Sequence, residues 1–499
     1  MKVYLYSALF LLINSIMSGN TQLDSLLKLG REYSYQFEFQ KAENLYQDLM
    51  EKFPNSPYAS HYLSQNYLWF YLGSKDSTYK FLYEKYGKIA FNKAEKLYDK
   101  DEDDPKLNNL IGHIYLLKSM LYATEGNSMD AFWAIKSSVS YFEDAVELDQ
   151  NYYDSYLGLG TIKYALSFVP GFLGWAISIA GLSGDKEKGL RFIKIAYDKG
   201  SSSKTEAAYH LSKIYTEYNA EYDSAKIYLD YLIEKYPNNI LFLYQYAILL
   251  IDTRELEKAD KILTEIINLN NKKFSQTTSF SIFLKAEITF KQNDFNKAIS
   301  IYDKFLRTTK SIDYTGLAHL KIGLSYVMLG DSLIAKKYFI LARNGNLDIP
   351  EDQKAKNDSY LFYDKIFTEN DRNIILAENY FASGKYQKSL NTIVEVNISK
   401  LDYNSLIKLK ILEAESLLSL DKIKYAESAI ENFQDDLRLS SSSFRAEYFL
   451  VLAEIKYAEN DYKSSQKYLD LSFDYIDESN NKLMRHLVNL KSKLRRKIR

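Results

Sequence analysis

Apolar and polar positions recur along most of the chain with a helical period, in short blocks that come in pairs, and the blocks are punctuated by Gly, Asn or Asp turns. Residues 316–349 carry the unit in its cleanest form. Gly316 opens it, Ile322-Gly323 and Tyr326 fall on a first helix, Gly330-Asp331 makes the turn, and Ala335, Phe339 and Ala342 line a second helix. This order of small residue, aromatic and turn returns about every 34 residues. Two antiparallel helices approach closely only where Gly or Ala removes bulk at the crossing, so a small residue paired with an aromatic is a packing signature as well as a repeat.

The first unit runs from Leu23 to Ser56, with Leu29-Gly30, Tyr33, Ala42, Tyr46 and a closing Pro54 whose ring and missing N–H stop the second helix. The next three keep the grammar but stretch it: Leu63, Tyr67, Ala94 and Tyr98; Ile111-Gly112, Tyr115, Phe142 and Ala145; Tyr156, Leu159-Gly160, Gly189 and Ala196. The inserted residues are apolar or helix-forming, which predicts longer helices rather than loops. From Thr205 the period tightens. This is the tetratricopeptide repeat pattern, and the predicted fold is an all-α, TPR-type α-solenoid, a right-handed superhelix of antiparallel helix pairs with about eleven repeats. The expected organisation is a signal peptide over 1–19, stretched repeats over 20–204, a regular array over 205–349, a connector over 350–369, a second array over 370–479 and a basic capping helix over 480–499.

A more specific resemblance lies between Tyr156 and Ile251. Gly158-Leu159-Gly160, Ser167-Phe168-Val169-Pro170, Gly181-Leu182-Ser183-Gly184-Asp185, Gly189-Leu190 and Tyr236-Pro237 follow in an order and spacing similar to the tetratricopeptide repeat protein 39 family and its fungal inclusion-body-clearance relatives. The resemblance implies an all-helical repeat scaffold with no catalytic residues to carry over. Those relatives are intracellular and linked to lipid or aggregate handling.

The N-terminus departs from that pattern. Lys2 precedes an apolar run from Val3 to Ile16, and Ser18-Gly19 offers small residues for cleavage. This predicts a secretory signal peptide and a periplasmic or secreted protein, with an uncleaved anchor as the alternative. The absence of Cys removes disulfides, thiolate metal sites and cysteine nucleophiles from consideration. A net charge of −1 gives no field for a polynucleotide, so no nucleic acid partner is expected. The 45 Tyr suit helix seams, where the ring packs and the hydroxyl reaches water.

The partner surface of such a solenoid is its concave face. Counting from the repeat starts places Tyr209, Lys213, Tyr244, Ile248, Phe283, Glu287, Leu320 and Leu324 there, an apolar and aromatic groove suited to a protein or peptide segment. The competing reading is that several of them pack beneath neighbouring helices. A Lys, Arg and Asn set that grips a peptide carboxylate is not expected, since Leu27 and Arg31 stand where Lys and Asn would be required. Ala165 to Leu182, with Phe168, Phe172, Trp175 and Ile179, is an apolar stretch that reads as a buried insertion or as a membrane or interaction segment. The basic C-terminal helix reads as a solvated face, with contact to an anionic membrane as its alternative. His61, His113, His210, His319 and His486 lie far apart with no close pair to seed a metal site, and Asp101 to Asp104 reads as a solvated turn and helix start. No catalytic constellation, cofactor or metal is expected. The sequence therefore predicts a non-enzymatic scaffold in the bacterial cell envelope, or alternatively a membrane- or lipid-associated envelope factor using residues 165–182.

Overall fold

The computed structural model describes residues 21–169, 181–431, 442–476 and 480–498. Among them every regular element is a helix, and no strand is present. The predicted signal peptide lies outside the described residues. The chain divides into two compact units.

Unit 1 comprises Met1–Ser212 with Ile227–Leu243 and Asn271–Ser275. It contains helices α1 (21–35), α2 (Phe39–Lys52), α3 (Tyr58–Ser74), α4 (Ser77–Tyr98), α5 (Pro105–Thr124), α6 (Ser128–Leu148), α7 (Ser155–Leu166), α8 (Lys186–Lys199) and α9 (Lys204–Lys213). Asp76, Asp104 and Asp185 start α4, α5 and α8 by accepting from Thr78, Lys106 and Lys188 N–H groups that have no partner inside the helix. Helices α4, α5 and α6 run to 22, 20 and 21 residues, against 14 in α2.

The small-to-aromatic pairing holds these helices together. A Cβ at Gly30 would lie 2.5 Å from the Tyr46 ring, and those at Gly112 and Gly158 would lie 2.8 and 2.1 Å from the fully buried Phe142 ring. The far end of unit 1 then returns to its beginning. The Tyr236 hydroxyl and Lys235 Nζ donate to Glu32 at 2.9 and 3.0 Å, and Asn239 Nδ2 donates to the Tyr35 carbonyl at 2.9 Å. Phe274 packs on Phe37, Phe39 and Phe70. Unit 1 thus closes on itself, and the inner faces of α1, α3, α5, α7 and α9 are drawn to a common centre.

Unit 2 comprises Lys213–Lys226, Tyr244–Asn270 and Gln276–Arg499. A π-helical turn at Ile214–Tyr218 and helices α10 (Tyr222–Lys235) and α11 (Ile240–Asp252) follow α9. Next come α12 (Leu256–Leu269), α13 (Ser275–Lys291), α14 (Phe295–Thr308), α15 (Thr315–Met328) and α16 (Ser332–Leu341). The remainder are α17 (Pro350–Asp364), α18 (Glu369–Ala382), α19 (Tyr386–Val394), α20 (Tyr403–Leu418), α21 (Ile423–Ile430), α22 (Ser442–Ala458), α23 (Tyr462–Tyr475) and α24 (Asn481–Ile498). The turns between paired helices need one left-handed residue, which Gly330 and Gly384 adopt without Cβ cost and Asn293 and Asn460 adopt tolerably.

The segment expected as a connector contains α17. Its Asp352 is fully buried and accepts from the Leu317 and Asn346 N–H groups, both at 2.8 Å, so α17 is fastened to the start of α15. Helix α24 buries Leu483, Leu487, Leu490 and Leu494 against Ala446, Leu450, Ala453 and Leu469. Its basic side chains are partly engaged: Arg485 grips Asp252 with two nitrogens at 3.1 Å, and Arg496 reaches Glu221 at 3.4 Å. No helix among the described residues is long and apolar enough to cross a membrane.

Candidate functional site

The convergence of first helices in unit 1 leaves a cavity of about 270 Å³. Helix α1 contributes Asp24, Leu27, Lys28 and Arg31; α3 contributes Tyr58, His61, Tyr62 and Gln65; α5 contributes Lys106, Asn109, Leu110 and His113. Tyr152 and Asp154 enter from the turn before α7, Leu157 from α7, and Ser201 to Ser203 with Glu206 from the start of α9. Each successive pair therefore places side chains in one space, which is how a repeat array builds a site.

The wall is a hydrogen-bonded network. Arg31 donates to the Ser202 carbonyl and lies 4.0 Å from Glu206, and both side chains are largely buried. Glu206 also accepts from the Tyr35 hydroxyl at 2.7 Å and from Gln65 Nε2 at 3.3 Å. Burial alone would push the Glu206 carboxyl up, but Arg31 and His113 outweigh it and hold the group below the usual range. Asp154, only 6% exposed, accepts from Ser201 Oγ, Ser202 N–H, Ser203 N–H and Ser203 Oγ at 2.8 to 2.9 Å. Burial again opposes ionisation there, and the serine donors overcome it, so Asp154 is held below its ordinary value. The charged pair and the serine turn cover one another, which makes the buried charges tolerable.

His61 is 3% exposed and its Nδ1 has no hydrogen-bond partner. Burial first, then the neighbouring His113 and Arg31, lower its pKa to about 3, so the imidazole is neutral at physiological pH. His113 is lowered by the same burial. Their ring centroids are 6.2 Å apart. The expectation that no two histidines approach is thus corrected: one stretched repeat separates them in sequence, and stacking the repeats superposes their positions on α3 and α5. Among the described residues no group of three or more His, Asp or Glu is arranged to hold a metal ion.

The expected groove is corrected as well. Phe283, Leu320 and Leu324 are 4 to 8% exposed and belong to the core of unit 2, packed with Phe305 and Phe339. Glu287 accepts from the Tyr302 hydroxyl. Tyr244 and Ile248 are half-buried in unit 2, as is Lys213, which pairs with Glu217 at 3.8 Å. Tyr209 is half-buried in unit 1 against Phe242. Phe283, Leu320 and Leu324, at positions that line a concave face in a regular repeat, are thus covered by adjacent helices, while Tyr209, Lys213, Tyr244, Ile248 and Glu287 stay partly exposed. Of the apolar stretch, Phe168 is 50% exposed, while Phe172, Trp175 and Ile179 lie outside the described residues. Sequence reasoning missed the cavity, although polar residues on consecutive first helices, Arg31, His61, Gln65, Asn109 and His113, were a signal that aligning the stretched repeats would have exposed.

The Iml2/Tetratricopeptide repeat protein 39 family model matches residues 154–313, and a tetratricopeptide repeat model matches residues 24–56. No curated protein matches the chain. Solved structures with similarity include a tetratricopeptide repeat protein from Parabacteroides merdae, at 16% identity over 58% of this chain and 98% of that one, with a TM-score of 0.24. The P58(IPK) TPR domain is 14% identical over 84% of this chain and 95% of its own, with a TM-score of 0.23. The APC/C hetero-tetramer Cut9-Hcn1 is 14% identical over 93% and 96%, also at 0.23. With helix pairs locked by small-to-aromatic contacts and repeat models matching in two places, the chain is a tetratricopeptide repeat superfamily protein, an all-α solenoid in class, with an Iml2/Tetratricopeptide repeat protein 39-like region.

Proposed function

We propose that the protein is a non-catalytic scaffold that binds a protein partner through the cavity of unit 1. Tetratricopeptide repeat proteins generally bind protein partners and are typically non-catalytic. The observation that carries the reading is that α1, α3, α5, the turn before α7 and the start of α9 bring polar side chains to one accessible space, whereas Phe283, Leu320 and Leu324 of the apolar groove expected further along are core. A partner segment entering there meets groups already fixed by the Arg31, Glu206 and Asp154 network, so little ordering cost falls on the scaffold.

The N-terminal run Val3 to Ile16, with Lys2 before it and Ser18-Gly19 after it, supports export to the periplasm or beyond, and so a partner in the bacterial cell envelope. N-terminal sequencing of the protein from its host tests this, with a start near residue 20 expected and an intact Met1 contradicting cleavage. The binding reading is tested by partner capture from the envelope fraction. Lys28→Glu and Tyr152→Ala should each lose the retained protein while keeping wild-type helicity, and undiminished capture by both folded variants would overturn the reading. The half-exposed Phe168 supports a second reading, membrane or lipid association through residues 165–182. Co-sedimentation of Phe168→Asp with anionic vesicles tests it, and binding equal to wild type would set it aside.

A further inference from the structure

The charges that line the unit 1 cavity cancel. Lys28, Arg31 and Lys106 stand against Asp24, Asp154 and Glu206, and burial keeps His61 and His113 neutral at physiological pH. The carboxylates are engaged within the protein: Asp24 by Lys106 at 2.6 Å, Asp154 by the serine turn, and Glu206 by Tyr35, Gln65 and Arg31. What stays open is uncharged and mostly able both to donate and to accept. The hydroxyls of Tyr58, Tyr62 and Tyr152 make no hydrogen bond among the described residues, and burial raises these phenols so that each keeps its proton. Asn109 spends its Oδ1 on Ser155 Oγ at 2.9 Å and presents its amide N–H₂, and His61 adds an Nδ1 without a partner. Apolar surface lies between these groups, from Leu27, Leu110 and Leu157. Lys106 sits 4.8 Å from the Tyr58 ring centroid and Arg31 5.2 Å from that of Tyr62, whereas the Tyr152 ring has no cation or second ring against either face among the described residues.

A charged ligand would find the opposite charges already paired, and an apolar one would strand the phenols and the amide. A ligand that matches the open groups is neutral and carries several groups that each donate and accept. Hydroxyls do this, because an O–H pairs with a phenol whichever way the phenol proton points, and chained hydroxyls reinforce one another. The leucines and the open Tyr152 face ask in addition for a ligand with an apolar side. A pyranose ring combines the two, with hydroxyls around its edge and C–H bonds across its faces. The cavity, at about 270 Å³, falls below the roughly 300–1,000 Å³ of pockets that enclose drug-sized ligands, which suits one such ring with its substituent continuing past the rim. We propose that the unit 1 cavity is a sugar site that receives a single neutral pyranose unit, stacked on Tyr152 and hydrogen-bonded by the phenols and Asn109. The inference rests on the reading that this cavity is the partner site and names the chemistry it selects, a sugar carried by the partner or a free glycan.

The test titrates the full chain with methyl pyranosides of gluco, galacto, manno, xylo and N-acetylglucosamine configuration, read by calorimetry and saturation-transfer NMR, with tetrahydropyran-2-methanol as the ring that lacks ring hydroxyls. At least one pyranoside should bind about tenfold more tightly than that control, the gain that one or two hydrogen bonds supply. Tyr152→Phe, which keeps the ring and loses the hydroxyl, should weaken the binding several-fold, and Tyr152→Ala should abolish it with helicity unchanged. A panel in which no pyranoside is preferred over the control, or binding that Tyr152→Ala leaves untouched, overturns the sugar site; partner capture that is still lost in Lys28→Glu then leaves the scaffold reading standing. Oxidising the vicinal diols of the envelope fraction with periodate reads the source. Capture lost after oxidation, and competed by the bound pyranoside, places the sugar on the partner. Capture that survives both treatments, beside pyranoside binding that Tyr152→Ala abolishes, assigns a free glycan to the cavity and overturns the scaffold reading alone.

Discussion

Asp154 organises the serine turn from which Arg31 and Glu206 take their positions, so its replacement should be felt in both stability and binding. Asp154→Ala removes the acceptor of four hydrogen bonds. Ser203 Oγ keeps the Ala196 carbonyl at 3.2 Å, and the half-buried Ser202 and exposed Ser201 can turn to water. The buried Ser203 N–H has no such recourse, and an unsatisfied buried donor costs roughly 1–3 kcal/mol. Adding about 1 kcal/mol for the lost bonds at Ser201 and Ser202 gives an expected destabilisation of about 3 kcal/mol. Asp154→Asn keeps one acceptor oxygen and should cost about half as much. The three tryptophans are Trp69, Trp133 and Trp175, of which Trp69 and Trp133 belong to unit 1 and none falls within the residues of unit 2, so tryptophan emission during urea unfolding leaves unit 2 silent. With a slope near 2–3 kcal/mol per molar urea, the midpoint should fall by about 1 M for Asp154→Ala. Because the folded-state pKa of Asp154 is depressed, its stabilisation is present above the unfolded value and is lost as pH falls through the folded one. The Asn variant should lack that acid-range loss. A midpoint within about 0.3 M of wild type for Asp154→Ala would refute the idea that the carboxylate holds the turn.

Other consequences follow from packing and burial. Gly158→Ala drives a Cβ to 2.1 Å from the Phe142 ring and should cost about 1–3 kcal/mol by tryptophan-monitored unfolding, with part of the loss recovered in the double variant with Phe142→Leu. Phe283→Asp puts a charge into the unit 2 core and should cost several kcal/mol, seen as lost helicity and lowered melting temperature rather than a folded protein that fails to bind. Glu454 on α22 is raised to about 7, chiefly by burial, with Lys493 and Arg254 acting against the rise. Its contribution is therefore fully present below about pH 4.5 and is lost as pH rises through 7, by about 1–3 kcal/mol for a half-buried group. Glu454→Gln should flatten the fall in melting temperature between pH 5 and 8, and an unchanged profile would assign that slope elsewhere.

The helical repeat was legible because its signals are local. Gly30 with Tyr46, Gly112 and Gly158 with Phe142, and Gly323 with Phe339 are pairings set within one or two repeats, where sequence spacing converts directly into contact. The left-handed turns at Gly330 and Asn460 are read the same way. The candidate site was not legible, because its parts are contributed by repeats that meet only once unit 1 closes. Arg31 reaches Ser202, and Tyr35 reaches Glu206, across 171 residues. The long helices α4 to α6 were expected, but the register at which their inner faces meet was not, and in unit 2 the counted concave positions Phe283, Leu320 and Leu324 fall in a core. The C-terminal basic run was only half informative, since it read as a solvated face but Arg485 finds Asp252 across 233 residues.

The central claim is that a partner segment occupies the unit 1 cavity, and site-specific photo-crosslinking tests it most directly. A benzophenone side chain placed at the exposed rim position Lys28 in the full-length protein, activated in the native host, should yield one discrete protein adduct, and the same probe at the solvent-facing Lys41 on α2 should not. An adduct at 28 that disappears when Tyr152→Ala is added would place the partner in the cavity. Partner capture that persists with no adduct at 28, or with equal adducts at 28 and 41, would contradict the account.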